Sequence, residues 1–286
     1  MPQNISSSSD KPLIDLVIGA NSAIGRALVQ QLCAQGNAVY TVSRPRAANS
    51  VSGGSVSGGS ISGDSVTSTS PVSGGNGPVI PGLVAAESAR HWDCDYSAGA
   101  IARVAEDLKA ANVDVARIVI CNGVLHGENF GPERTLKKLD PAAMKTVFET
   151  NAMLPLEWLS ALYDVIKRAS APAIAVLSAR VGSIGDNRMG GWYSYRGSKA
   201  ALNMMLQCAA IEFHRNNKRS RILAFHPGTT DTPLSKPFQR NVPAEKLFTP
   251  AFVAERLLSV LEAVAADPNL GGSLAYRDWA GKEIPW

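Results

Sequence analysis

The chain has 286 residues, 45% of them apolar and 18% charged, and its 28 Lys and Arg against 24 Asp and Glu leave a formal net charge of +4. This is a globular composition, long enough to bury a core without disulfides or metals. So thin a positive excess, with no dense Lys/Arg block, argues against nucleic acid as a partner.

Residues Met1–Pro12 are polar and Ser-rich and lack the basic start and apolar run of a secretory signal, so 1–12 reads as a flexible N-terminus. Leu13–Gly19 reads as a buried strand, Ala23–Gln35 as a helix closed by Gly36, and Ala38–Ser43 as a second strand. The composition then breaks. Between Asn49 and Pro78, 18 of 30 residues are Ser or Gly, with three near-identical pentads from Val51 to Ser65. Too apolar-poor to offset its own ordering entropy, residues 49–78 are expected to form a disordered insert.

Beyond the insert a strand ends near Trp92 and a helix covers Ala98–Ala110. Arg117–Cys121 reads as a strand, Pro141–Lys167 as a helix despite Pro155, and Ala173–Ser178 as a strand. A helix over Tyr193–Asn216, a strand over Arg221–His226 and a last long helix over Thr249–Ala266 complete the series. Alternation of this kind predicts an α/β protein with a doubly wound parallel sheet, a Rossmann fold in one domain spanning 13–286. Ligands in such sheets bind beyond the carboxyl ends of the strands.

Three features fall at those ends. The run Ile18-Gly19-Ala20-Asn21-Ser22-Ala23-Ile24-Gly25 passes from strand to helix through small residues, as a pyrophosphate requires if it is to meet backbone amides at a helix N-terminus. No Asp or Glu occurs from Arg26 to Gly63, where an NAD-preferring fold carries an acid for the ribose hydroxyls. Arg44 and Arg46 stand there instead and suit the 2′-phosphate of NADP. Tyr195 and Lys199, four residues apart, share a helix face, and a nearby ammonium favours a phenolate.

Together these stretches resemble the short-chain dehydrogenase/reductases, and within them the C-factor-like branch related to sniffer-type carbonyl reductases. The resemblance is carried by Leu177-Ser178-Ala179-Arg180-Val181-Gly182-Ser183-Ile184, by Gly190–Asn203, by His226-Pro227-Gly228-Thr229-Thr230-Asp231-Thr232, and by the closing Ile284-Pro285-Trp286. It implies an NADPH-dependent oxidoreductase that reduces a small-molecule carbonyl, an aldehyde or ketone, with Tyr195 as proton donor. Lys199 would hold the nicotinamide ribose and lower the tyrosine pKa, and Asn151 would anchor a proton-relay water.

By the same resemblance Gly19, Ser22, Ile24 and Gly25 match the cofactor turn, and Asn122 and Gly123 a shortened strand-end motif. Asp95 matches an adenine contact or else caps the next helix. Pro227, Gly228, Thr230 and Thr232 match the segment that meets the nicotinamide and pyrophosphate. The family's catalytic serine falls on Ala179, so Ser178 is the candidate hydroxyl, with Ser183 the alternative, or neither. Pro233–Leu247 is expected to be a lid over the substrate. The resemblance implies a homodimer or homotetramer, or, as the rival reading, a dinucleotide-binding signalling protein with vestigial catalysis; a cytoplasmic location is expected from the polar N-terminus and the apolar runs, all too short for a membrane span. Neither the scattered Cys33, Cys94, Cys121 and Cys208 nor the four histidines have metal-ligand spacing, and with no apolar run long enough to span a bilayer no metal and no membrane are expected.

Overall fold

A computed structural model describes residues 11–45 and 90–286; the Ser/Gly-rich insert, Arg46 and the N-terminal ten residues lie outside them. Strand β1 (Leu13–Ile18), helix α1 (Ala23–Ala34), β2 (Ala38–Ser43), β3 (Arg90–Asp93), α2 (Ala98–Ala110) and β4 (Asp114–Ile120) form the first half. The second half contains α3 (Pro141–Phe148), α4 (Leu154–Ala161), α5 (Tyr163–Arg168), β5 (Ala173–Leu177), α6 (Tyr193–Asn216), β6 (Arg221–His226), β7 (Thr229–Thr230), β8 (Leu247–Phe248), α7 (Pro250–Ala266) and β9 (Leu274–Asp278). Seven strands make one sheet in the order β3-β2-β1-β4-β5-β6-β9, every pair parallel. The order reverses between β1 and β4. A crevice therefore opens at their carboxyl ends, the switch point of a doubly wound fold.

Alternation along the strands divides the interior into two layers. Ile14, Leu16 and Ile18 pack with Ile101, Trp158, Leu202 and Leu206 on one side of the sheet. Val17, Val119, Leu223 and Phe225 pack with Leu28, Leu32, Leu257 and Leu261 of α1 and α7 on the other. Among the described residues no helix is long and apolar enough to cross a membrane.

Strands β7, β8 and β9 are not expected from the sequence, and two of the expected elements differ from the sequence reading. The strand expected over Arg117–Cys121 begins three residues earlier, at Asp114. Its charges are absorbed locally: Asp114 accepts the Ser170 amide at 2.8 Å and Arg117 pairs with Asp15 at 3.0 Å. The helix expected over Pro141–Lys167 is three helices, joined by a π-helical turn over Glu149–Met153 and a break at Leu162. Pro155 lacks the amide that a continuous α-helix needs, and the chain accommodates it in the first turn of α4, just past the wide turn.

Candidate active site

The floor of the crevice is the turn from β1 to α1. Gly19 has φ +80°, and a Cβ there would stand 3.2 Å from the Cys121 carbonyl carbon and 3.3 Å from the Asn122 amide nitrogen. Only glycine lets the turn lie against the end of β4 in that conformation. A Cβ at Gly25 would stand 2.5 Å from the Gly19 carbonyl oxygen, so α1 seats directly on the turn. Ser22 caps the helix, its Oγ accepting the Gly25 amide at 3.0 Å. Ala23 and Ile24 border the cavity, which brings the first-turn amides and the positive end of the α1 dipole to its edge.

Two connected lobes open above this floor, of about 480 Å³ and about 720 Å³, and both are walled by Asn21, Ser22, Asn122 and Gly123. The smaller includes Arg44 and Tyr96. Asp95 is not on its wall. Nor does it cap α2, as the alternative reading has it: Ser97 is the cap, and the exposed Asp95 carboxylate accepts the Ser97 amide at 2.9 Å, which holds its pKa below the usual range.

The larger lobe contains Tyr195, Lys199, Ala179, Arg180, Trp192 and His226, together with Pro227, Gly228, Thr230 and Thr232. Asn151 projects from the π-helical turn, where the Leu154 amide reaches back to the Glu149 carbonyl. It is fully buried: Oδ1 accepts the Val124 amide at 2.7 Å, and Nδ2 donates to the Val124 carbonyl at 2.8 Å and the Ser198 Oγ at 3.1 Å. Those bonds fix the loop after β4 to α6 beside Lys199. The Lys199 ammonium donates to the Leu177 carbonyl at 2.8 Å and lies 6.0 Å from the Tyr195 ring centroid. Tyr195, Lys199, Asn122, Gly123 and residues 21–24 of the turn thus wall one lobe, with Asn151 buried behind that wall.

The electrostatics depart from the simple expectation. Burial pushes the Tyr195 phenol up to about 12, with the nearby Tyr276 phenol adding to the shift, and burial pulls Lys199 down to about 7. The lysine thus sits near its titration point at neutral pH. Desolvation outweighs the tyrosine–cation attraction in the chain by itself.

Ser178 lines the larger lobe, with its hydroxyl directed away from it. Its Oγ donates to Asn203 Oδ1 at 2.7 Å, buried against α6. In this arrangement its proton goes to Asn203, whose buried Nδ2 has no partner among the described residues; with that amide turned over, the serine would accept from Nδ2 and its proton would be free. Ser183 is buried too, absent from the cavity wall, and its Oγ accepts the Asp186 amide at 3.0 Å. At the serine position the cavity meets the Ala179 methyl, whose own carbonyl accepts the Tyr276 hydroxyl at 2.7 Å.

The segment expected to be a lid is more ordered than its composition suggests. Strands β7 and β8 pair in parallel and bracket it, and a 3₁₀ turn over Lys236–Asn241 brings Phe238 to 5.2 Å from the Trp192 ring and 5.8 Å from His126. Trp192 is held left-handed, φ +54°, immediately before α6. Its amide donates to the Glu133 carbonyl at 2.5 Å, while the buried Glu133 carboxylate accepts the Ser194 amide at 3.2 Å and contacts the Ser194 hydroxyl. Glu133 thus caps, from sixty residues away, the helix that bears Tyr195. Sequence reasoning missed Glu133 and Trp192 because a cap supplied from another segment has no local spacing. We expect Glu133→Ala to cost about 1–2 kcal/mol, as cap removal does, lowering the melting temperature by roughly 2–4 °C per kcal/mol. Thermal unfolding checks it, and an unchanged midpoint would remove Glu133 from this role.

Comparison with known proteins places the chain in a family. A family model for short chain dehydrogenases matches residues 80–243, and the protein belongs to that family of oxidoreductases. The 1-hydroxy-2-glutathionyl-2-methyl-3-butene dehydrogenase of Rhodococcus sp. strain AD45 is 31% identical over 151 residues, 52% of this chain and 61% of that protein, so the match spans less than two thirds of that relative. The C-signal protein of Myxococcus xanthus is 31% identical over 151 residues, 53% of this chain and 83% of that protein. Carbonyl reductase Sniffer of D. melanogaster shares the fold with a TM-score of 0.69 at 15% identity, covering 96% of this chain and 99% of that one. A Burkholderia multivorans short-chain dehydrogenase/reductase with bound NADP gives a TM-score of 0.68 at 19% identity, covering 96% and 100%.

Proposed function

We propose that the protein is an NADPH-dependent carbonyl reductase acting on aldehydes or ketones. The observation that carries the reading is the enclosure of Tyr195, Lys199 and the Asn151-anchored loop in the same space as the Gly19–Gly25 turn. The residues fit a dinucleotide: the buried Asn122 Oδ1 and Thr230 Oγ1, both on that wall, have no hydrogen-bond partner among the described residues, and buried polar atoms ordinarily find one. The turn amides would hold the pyrophosphate, Arg44 the 2′-phosphate, and Lys199, Asn122 and Thr230 the nicotinamide end. When bound, NADPH supplies the hydride.

The chain's own part is protonic and geometric. Tyr195 donates its proton to the carbonyl oxygen as negative charge develops there. Lys199 carries charge next to the phenol and steadies its conjugate base. Trp192, Phe238 and the lid residues Pro233, Leu234 and Val242 wall the substrate side and exclude water. With Ala179 in place of a hydroxyl, one donor to the substrate oxygen is missing, and Tyr195 carries more of the polarisation. That gap, together with the likeness to C-signal, favours as second reading a dinucleotide-binding signalling protein with weak catalysis. A cytoplasmic homodimer or homotetramer belongs to the same proposal.

The test is NADPH oxidation with a panel of aldehydes, ketones and quinones, alongside nucleotide binding. NADPH should bind at least tenfold more tightly than NADH, about 1.4 kcal/mol. Arg44→Asp should erase or reverse that preference, since a carboxylate repels the phosphate and accepts ribose hydroxyls. Binding of NADPH without turnover on any carbonyl would overturn the reductase reading in favour of the signalling one.

A further inference from the structure

At the far end of the crevice from Tyr195, the Arg44 guanidinium stacks on the ring of Tyr96, its carbon 5.2 Å from the ring centroid. Both side chains line the smaller lobe. Tyr96 has an unusual backbone for a residue with a bulky side chain, φ +67°, a conformation that persists only where its surroundings impose it. The surroundings are visible. The ring meets the buried Trp158 of α4 edge to face, centroids 6.1 Å apart, on the opposite layer of the core from α1. Next to it, Asn21 Nδ2 donates to the Arg44 carbonyl at 3.2 Å and to Ser43 Oγ at 2.7 Å, tying the backbone of Arg44 to the cofactor turn. Main chain and guanidinium of one arginine are thus fixed by two different elements.

We propose that Tyr96 is a positioning residue for Arg44, and that the protein's discrimination between 2′-phosphorylated and unphosphorylated nicotinamide dinucleotides depends on it. An arginine on a loop has many rotamers, and most of them turn the planar donor fork away from a phosphate. A ring already anchored on Trp158 selects a small subset through cation–π attraction, so the fork is largely ordered before the ligand arrives. NADH, which offers no phosphate to the fork, gains nothing from this arrangement. The dependence is therefore selective, unlike that of a residue needed only for folding.

The inference rests on the NADPH reading, and the experiment separates the two. Dissociation constants for NADPH and NADH are measured by fluorescence titration on the full-length protein and on Tyr96→Phe, Tyr96→Met, Tyr96→Leu and Arg44→Ala. Tyr96→Phe retains the ring and should retain the ratio of affinities within twofold. Tyr96→Met, which fills the space on Trp158 with a flexible side chain, and Tyr96→Leu should weaken NADPH about three- to thirtyfold, the range of cation–π strength, and leave NADH within twofold. In an Arg44→Ala background, Tyr96→Met should lower the ratio no further. Equal weakening of both nucleotides would make Tyr96 a general support of the lobe and overturn the proposal, as would an unchanged ratio in Tyr96→Met. If the unmodified protein binds the two nucleotides equally, the NADPH reading falls and the inference with it. If Arg44→Ala lowers the ratio and the Tyr96 variants do not, only the inference falls.

Discussion

Replacing Tyr195 with Phe should lower NADPH-dependent carbonyl reduction by two to four decades and leave NADPH affinity within about twofold, because the change removes one oxygen from a general acid and nothing from the nucleotide site. Two features of the structure make the effect large. Ala179 has no hydroxyl, Ser183 is off the cavity wall, and the Ser178 hydroxyl on that wall is directed to Asn203, so no second proton donor of that kind points at the phenol's neighbourhood. The phenol is also held in its protonated form, pushed up to about 12 by burial, so the donor is loaded at any physiological pH. Steady-state kinetics with a responsive carbonyl, paired with nucleotide titration, checks it. A Phe variant as active as the parent would remove Tyr195 from the chemistry.

Lys199→Met should separate function from stability. Loss of the ammonium should reduce turnover at least a hundredfold and weaken NADPH, yet the ligand-free variant should melt no lower than the parent near pH 6–7. The lysine is 2% exposed, and its pKa falls to about 7 from an ordinary 10.5 because burial disfavours the charge. Below pH 7 folded and unfolded chains both carry that proton, and the folded chain bears the whole cost of burying it. Between about pH 7 and 10.5 the unfolded chain holds a proton that the folded one has released, so stability contributed by this group rises with pH. Tyr195 acts in the opposite sense only above about pH 10, where the unfolded phenol ionises first. Melting curves at pH 6, 7.5 and 9 should therefore converge for parent and Met variant as pH rises. Parallel curves would show that Lys199 is not a buried, half-titrated amine.

Much of this was legible in the sequence because it is written locally. The glycine turn after β1 and the Tyr195 and Lys199 pair on α6 are each set by spacing within a dozen residues, and the α6 and β6 boundaries agree with the periodicity reading. What escaped depends on contacts across the chain. Strand β9, Leu274–Asp278, mixes apolar and charged residues in five positions, and its place at the sheet edge follows only from pairing with β6. Asn151 could be matched by resemblance, but its hold on Val124 and Ser198 depends on a π-helical turn that no propensity announces. The hydrogen bonding of Ser178 was not legible either: just past the end of β5, Ser178 and Ala179 both line the cavity, and the serine hydroxyl is directed to Asn203 of α6, a contact across the chain.

The parallel pairing of Thr229–Thr230 with Leu247–Phe248 has a bearing on how such a protein can change. It fastens both ends of the interval 231–246 to the scaffold, one beside Gly228 and the other where Phe248 stacks on Trp279 at 4.5 Å. An interval whose ends are already joined can lengthen or shorten at little entropic cost, since closure depends only weakly on loop length. Apart from Thr232 at its start, the residues it would exchange belong to the proposed substrate side, and the proposed proton donor and nucleotide floor belong to other elements. The lid is in that sense a replaceable cassette: a new interior between the same two anchor points offers a route to a new substrate range without rebuilding the chemistry beneath it.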